Sequence, residues 1–166
     1  IAALRPDWHL VMLGPVVKID KASLPRLSNI HWLGMKQYDE LPAYLAGWDV
    51  GIMPFAINEA TRFISPTKTP EFLAAGLPVI STPIRDVIRP YGAAGLVEIA
   101  GSADEFVSKA ERLMRERDVS WLQAVDRQLA MNSWDRTWES MEAKIRSCST
   151  PPRPVFTPLE KGVACV

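Results

Sequence analysis

The residue types with the clearest chemical potential lie in the run SPTKTPEFLAAGLPVIST, which begins at Ser65. Ser65 followed by Pro66 is typical of a helix start, because a serine hydroxyl caps a free amide and proline suits the first helical position. The amides of Thr67 and Lys68 would then be donors at the positive end of the helix dipole, where anions bind. Glu71, about one turn further on, could accept hydrogen bonds from hydroxyl groups. The run therefore predicts a site for a phosphate-bearing ligand with hydroxyl groups.

The same run allows a second helix start. Thr69 followed by Pro70 is also a good cap and first-turn pair, and a helix that began there would leave Lys68 in the preceding loop. Either start places Glu71 within the first turns. Gly76 is predicted to end the helix, and the apolar residues after it predict a buried strand.

Polar side chains also fill the loop 55–64, just before this run. The loop follows a predicted strand at its carboxyl end, where ligands bind in open α/β sheets. Arg62 is a candidate phosphate ligand because its guanidinium can bind two oxygens, and a surface salt bridge is an equal alternative. The candidates in the loop are Asn58, Glu59, Thr61 and Arg62.

Short apolar runs alternate with helical patterns along the chain, which indicates parallel strands joined by crossover helices. The predicted fold class is therefore α/β, a Rossmann-like parallel sheet with helices on both faces. Strands are predicted at 9–13, 30–33, 50–53, 78–81 and 96–98. Further helices are predicted at 38–47, from 102 to 114, at 119–131 and at 134–145.

The length of 166 residues suits one folded domain with a substantial core. We expect this domain to cover 1–146. From 147 to 166, four prolines predict an extended tail. They are Pro151, Pro152, Pro154 and Pro158.

Charge and sulfur content exclude several classes of protein. The 19 basic side chains equal the 19 acidic ones, so no global field favours nucleic acid or anionic lipid. No apolar run reaches the ~20 residues that span a bilayer, and we expect a cytoplasmic protein. Cys148 and Cys165 lack CxxC spacing, and His9 and His31 are far apart in sequence, so neither a disulfide framework nor a zinc site is expected.

Most of the chain, about 6–145, resembles the C-terminal, donor-binding domain of retaining glycosyltransferases of the GT-B fold, family 4 or group 1 type. In that family a glutamate lies in a helix that ends Ala-Ala-Gly before a Pro-Val-Ile strand, as Glu71 does here. The segments DWHLVMLGP (7–15), NIHWLG (29–34) and WDVGIMPF (48–55) are similar to other strands of the domain. The resemblance implies a nucleoside-diphosphate sugar as donor, no metal or other cofactor, and transfer with retention.

The resemblance also implies roles for individual residues. Glu71 would bind the ribose, and Lys68, the Thr67 amide and Arg62 would stabilise the diphosphate. The turn at Gly34 and Met35 would approach the nucleotide base through its backbone, although an ordinary strand-ending turn is nearly as good an interpretation. The candidate donor site is therefore Asn58, Thr61, Arg62, Ser65, Thr67, Lys68 and Glu71, with Gly34 and Met35.

One position departs from the family pattern. Family members typically carry another glutamate eight residues before the one that matches Glu71, facing the transferred sugar, and Phe63 stands there in this chain. Any of the four polar residues of the loop 55–64 could take over its contacts, and spacing alone does not choose among them.

A whole enzyme of this family has an N-terminal acceptor-binding domain, and its C-terminal domain opens with a further strand and helix. We therefore expect this chain to be a fragment or a reduced domain that is inactive alone. Trp134 and Trp138 share a helical face and, if exposed, are predicted to mark an interface with the partner domain. Two alternatives remain at this stage: a nucleotide-sugar-binding domain of a GT-B epimerase, and a non-catalytic Rossmann-like domain.

Overall fold

The computed structural model describes residues 1–116 and 118–148, which form two compact units, Ile1–Leu129 and a second one that begins at Ala130. The described strands are β1 (Leu10–Leu13), β2 (Ile30–Gly34), β3 (Gly51–Met53), β4 (Val79–Ser81) and β5 (Val97–Ile99). The described α-helices are α1 (Leu41–Leu45), α2 (Lys68–Ala74), α3 (Arg85–Val87), α4 (Ala103–Arg115), α5 (Val119–Leu129) and α6 (Trp134–Ser147). Short 3₁₀ turns occur at Lys21–Ser23 and Tyr38–Glu40, and a π-helical turn covers Ile88–Gly92.

The strands pair in parallel throughout the part of the chain that the structure describes. β1 pairs with β2, and β3, β4 and β5 form a second sheet with β4 in the centre. The α/β class and the parallel pairing are confirmed, and each predicted strand lies within one residue of an observed one. Among the described residues, β1–β2 and β3–β4–β5 are separate hydrogen-bonded ladders.

The central strand β4 is buried on both faces, which explains its uniformly apolar sequence. Successive side chains of a strand point to opposite faces. Val79 therefore packs on one face in a cluster with Leu73 of α2 and Val125 of α5. Ile80 packs on the other face with residues of α4, among them Phe106. Helices thus cover both faces of the three-stranded sheet, as predicted.

Helix α2 begins at neither of the two predicted starts. Its N-cap is Thr67, whose backbone is already helical (φ −65°, ψ −20°) and whose side chain makes no capping hydrogen bond. Thr69 lies inside the helix and is buried, with its Oγ1 3.7 Å from the Sδ of Met53 on β3. Pro70 follows within the first turn, where a missing amide costs no intrahelical bond. The Thr69 amide donates to the carbonyl of Pro66 at 3.3 Å, so a helical turn precedes the first residue of α2.

The end of α2 follows the prediction closely. Gly76 adopts a left-handed backbone (φ +72°), which glycine reaches without strain. Its amide donates to the carbonyl of Leu73, and the Leu77 amide donates to the carbonyl of Phe72, at 2.9 and 3.0 Å. This is the Schellman pattern that satisfies the last helical carbonyls. It turns the chain directly from α2 into β4.

The remaining helices occupy the predicted segments with modest changes. The segment predicted as a helix at 38–47 is a 3₁₀ turn followed by the five-residue α1. Ser102 caps α4 by accepting a hydrogen bond from the Glu105 amide, and Ser133 caps α6 by accepting one from the Arg136 amide. In the second unit, α6 extends to Ser147 and therefore includes the first residue of the predicted tail. The rest of that tail, 149–166, lies outside the described residues, and the division at 146 stays a prediction.

Candidate functional site

A cavity of about 940 Å³ opens where the chain leaves the carboxyl ends of β3 and β4. Its volume is that of a typical small-molecule site, and ligands of open α/β sheets bind at this edge. One wall is the loop that follows β3, and the other is the segment that runs from β4 into α3. We call the cavity the arginine pocket, because its lining includes Arg62, Arg85 and Arg89.

Two predicted site residues shape the loop wall of the pocket. The Thr61 amide donates to Asn58 Oδ1 at 3.0 Å, and the Asn58 amide donates to Thr61 Oγ1 at 3.2 Å. Thr61 Oγ1 also donates to the carbonyl of Ala56. These bonds close a compact turn, as asparagine and threonine commonly do. Asn58 and Thr61 both line the pocket, but their polar groups are largely used within the loop.

Arg62 follows this turn and stays accessible to a ligand. Its Nη1 lies 3.5 Å from Glu59 Oε1, in a pair whose side chains are 64% and 86% exposed, so the pair is weak and easily exchanged. Its guanidinium also lies 5.3 Å from the centre of the Phe63 ring. Phe63 is 69% exposed and lines the pocket. The position that carries a glutamate in similar proteins is thus an apolar surface here.

The second wall carries two arginines that sequence analysis missed. Arg85 begins α3 and Arg89 lies four residues later in the π-helical turn, so both face the same side of one helical segment. Between them, Val87 points the other way and is completely buried. Neither arginine has an ion-pair partner among the described residues. A signal was present in the sequence, since both follow the carboxyl end of a predicted strand at i, i+4 spacing.

Lys68 and Glu71 lie at the start of α2, which follows the loop 55–64 in the chain. The Nζ of Lys68 donates to Glu71 Oε2 at 2.8 Å, and the two side chains are 54% and 32% exposed. Glu71 Oε1 has no partner among the described residues. The two residues expected to bind different parts of one ligand therefore contact each other. Neither they nor Ser65 and Thr67, both exposed nearby, line the arginine pocket.

Gly34 and Met35 lie apart from these residues in sequence and in sheet. Gly34 ends β2, in the two-stranded sheet, with φ +68°, and a methyl group added at its Cα would meet no atom within 4 Å. Met35 beside it is exposed. The open space next to a glycine turn is compatible with close approach of a ligand, and neither residue lines the arginine pocket.

The charged residues between β5 and α4 form close ion pairs, whereas the arginines of the pocket do not. Glu98 on β5 accepts bonds from Lys109 and Arg112 of α4, each at 2.6 Å, and we call these three residues the Glu98 network. Burial by itself would raise the pKa of Glu98, but the two cations together hold that pKa below its usual value. The network therefore holds a carboxylate in its charged form between β5 and α4.

The two histidines are brought together although 22 residues separate them. His9 Nδ1 lies 2.9 Å from His31 Nε2, within hydrogen-bond distance. Across 1–116 and 118–148, no group of three or more His, Cys, Asp or Glu side chains could hold a metal ion, and the expectation of a metal-free site stays untested. Within the same ranges, no helix is long and apolar enough to cross a membrane.

A Rossmann-like α/β domain with an arginine-lined pocket at the carboxyl ends of its parallel strands belongs to the class of folds that bind nucleotides and related ligands. The comparison with protein families narrows this class. The family model described as glycosyl transferases group 1 matches residues 1–116. The chain belongs to this family, as the resemblance of its motifs implied.

A relative with an assigned name agrees with this family. Over 84 residues, the chain is 38% identical to a protein of Bacillus subtilis (strain 168) whose name assigns it to teichuronic acid biosynthesis as the glycosyltransferase TuaH. The aligned part is 49% of this chain and 21% of that protein. The chain thus matches about a fifth of the length of a glycosyltransferase.

Proposed function

We propose that this chain is the donor-binding domain of a GT-B glycosyltransferase that takes a nucleoside-diphosphate sugar and transfers its sugar with retention. The observation that carries the proposal is the position of the site. The family match covers Glu71, near the start of α2, and all the residues that line the arginine pocket. Both parts of the pocket lining follow the carboxyl ends of β3 and β4. An accessible carboxylate can accept the ribose hydroxyls of a nucleotide, and accessible cations can bind its diphosphate.

In this proposal Glu71 binds the ribose. Its Oε1 has no partner among the described residues, so it can accept a hydroxyl at once, and Oε2 becomes available when Lys68 turns away. Their ion pair is about half exposed, and such a pair contributes only ~0–1 kcal/mol, so a ligand can displace it at little cost. The carboxylate can then accept two hydroxyls of a cis-diol together.

The cations have the second role. Lys68, once released, and Arg62 would neutralise the diphosphate, with the Thr67 amide as a further donor. Negative charge builds on the departing phosphate as the glycosidic bond opens, and cations placed there in advance stabilise that transition state. The acceptor would be bound by a separate N-terminal domain, and the reaction would take place in the cytoplasm.

Nucleotide-dependent stabilisation tests this proposal. Ligand binding to the native state raises the melting temperature, so UDP or GDP, and the sugar nucleotide with the same base, should raise that of the whole chain. Glu71→Ala should abolish most of the rise. The matched control is Glu139→Ala, which removes an exposed acid of α6, where no site residue is predicted. No rise with either nucleotide, or an equal rise for wild type and Glu71→Ala, would contradict the donor site.

A further inference from the structure

The arginine pocket carries more positive charge than its own acids neutralise. Among the described residues that line it, three are arginines and one, Glu59, is an acid. Arg85 and Arg89 have no ion-pair partner among the described residues, and Arg62 has only the long contact to Glu59. Elsewhere in the first unit, Arg5 and Arg112 pair with carboxylates at close range. Three arginines without a close ion pair among the described residues therefore line one cavity.

The chemistry of the lining selects among sugar ligands. A guanidinium offers only hydrogen-bond donors, and a neutral sugar gains most from carboxylates that accept its hydroxyls. The carboxylate expected at position 63 is absent, and the exposed ring of Phe63 takes its place. Ile57 and Ile88 add further apolar surface to the lining. Cations beside apolar walls suit a ring that carries an oxyanion.

Arg85 and Arg89 line the pocket from the same side of one helical segment. They lie four residues apart on a helical segment that Val87 anchors in the core, so their backbones are fixed relative to each other. Each guanidinium can form two parallel hydrogen bonds to a carboxylate or a phosphate group. The opposite wall contributes Arg62 to the same cavity.

We infer that the arginine pocket binds a sugar that itself carries an oxyanion, a carboxylate or a phosphate group, through Arg85 and Arg89. The identification of this sugar as a substrate unit rests on the proposed function, but the binding preference does not. Glu71, Lys68 and Arg62 bind the nucleotide part, and Arg85 and Arg89 select the charged group of the sugar.

Nucleotide-free probes test the preference on the whole chain. D-glucuronate, D-glucose 6-phosphate, D-glucose and inorganic phosphate are titrated separately by ligand-observed NMR or calorimetry. At least one of the two anionic sugars should bind about tenfold more tightly than glucose and than inorganic phosphate, which corresponds to one good charge-assisted contact. Tighter binding of glucuronate identifies the carboxylate as the group recognised, and tighter binding of glucose 6-phosphate identifies the phosphate. Equal binding of an anionic sugar and glucose overturns the inference, as does phosphate that binds as tightly as either anionic sugar.

Variants assign the preference to residues. The double variant Arg85→Ala with Arg89→Ala should lose the tenfold preference, and the double lysine variant should keep part of it, because charge remains while the bidentate geometry is lost. Arg26→Ala is the matched control, since Arg26 is exposed and does not line the pocket. A preference that survives the double alanine change, or falls equally in the Arg26 variant, overturns the assignment.

The outcomes separate this inference from the proposed function. If wild type prefers an anionic sugar but its melting temperature does not respond to UDP or GDP, the pocket assignment stands and the donor site fails. If the nucleotides bind but no anionic sugar is preferred, the donor site stands and the pocket assignment fails.

Discussion

Two groups of charged residues lie at different parts of the three-stranded sheet, and they differ in whether they form close ion pairs. In the Glu98 network, each cation meets a carboxylate at 2.6 Å and the carboxylate is partly buried between β5 and α4. In the arginine pocket, at the carboxyl ends of β3 and β4, Arg85 and Arg89 meet no described carboxylate at all. The difference separates two kinds of charged group: the Glu98 network connects α4 to the sheet, whereas Arg85 and Arg89 keep their charges available for the ligand that we propose.

The N-terminal segment also contains paired charges, like those of the Glu98 network. Arg5 pairs with Asp7 at 2.6 Å and also with Glu111 of α4, and its guanidinium lies 4.3 Å from the centre of the Trp8 ring. Asn29, which is buried, donates to the carbonyls of Ala2 and Arg5. Polar contacts therefore connect the start of the chain to α4 and to the two-stranded sheet.

The largest change in stability is expected from the core that lies beneath both groups. Leu73, on the inner side of α2, is almost completely buried with Val79 and Val125. Leu73→Ala should lower the free energy of unfolding by about 2–5 kcal/mol, through lost burial and the cavity left behind. Urea denaturation measures the change. A loss below about 1 kcal/mol would show that α2, which carries Glu71, is not held by this contact.

The next largest effect is expected in the Glu98 network. Glu98→Gln removes the charge that both Lys109 and Arg112 bind, and should lower the free energy of unfolding by roughly 1–2 kcal/mol, because each charge-assisted bond contributes more than an exposed ion pair. Urea denaturation at neutral pH and low salt gives the value. If the variant were as stable as wild type, the network would contribute nothing and the contrast with the pocket would lose its meaning.

The same network predicts a pH dependence. The pKa of Glu98 is lower in the folded chain than its usual value of 4.5, so its stabilising contribution is complete above that value and is lost as pH falls through the folded pKa. Asp7 and Asp118 also have lowered pKa values, Asp7 through its hydrogen bond to Arg5 and Asp118 through its bonds to Ser120. The part due to Glu98 is therefore the difference between wild type and Glu98→Gln. This difference should be constant from pH 5 to 7 and shrink below about pH 4, and a difference that grew in acid would contradict the pairing.

The smallest effect on stability is expected at the arginine pocket. Arg85→Ala combined with Arg89→Ala should change the free energy of unfolding by less than about 0.5 kcal/mol, because both side chains are exposed and neither has a described ion-pair partner to lose. A small increase is the most instructive result, since removing like charges that face each other relieves repulsion. A loss above 1 kcal/mol would show that the two arginines support the fold.

The strands could be predicted because their environment is simple. β4 is buried on both faces, so its apolar run has a single interpretation, and the glycine that precedes it ends α2 for reasons local to the chain. The start of α2 could not be predicted in the same way. Two good cap patterns competed, and the observed N-cap, Thr67, follows neither of them, while Thr69 lies inside the helix and contacts Met53 across 16 residues.

The candidate site shows the same division. Glu71 and Lys68 were predicted as site residues because one short motif contains them both, and Arg62 was predicted because it lies in the adjoining loop. Arg85 and Arg89 were not among the predicted site residues, and the sequence analysis predicted no helix in their segment, which the fold makes helical as α3 and the π-helical turn. Only the packing of two loops from neighbouring strands brings Arg62 and these arginines to one cavity.

The central claim is that the charged residues near the carboxyl ends of β3 and β4 bind a ligand, whereas those of the Glu98 network stabilise the fold. Calorimetric titration with whichever of UDP and GDP binds more tightly tests it in three chains: wild type, Glu71→Gln and Glu98→Gln. The account predicts that Glu71→Gln weakens binding at least tenfold with little change in stability, whereas Glu98→Gln loses stability and stays within about twofold of the wild-type affinity. Equal loss of affinity in both variants, or none in Glu71→Gln, would contradict it.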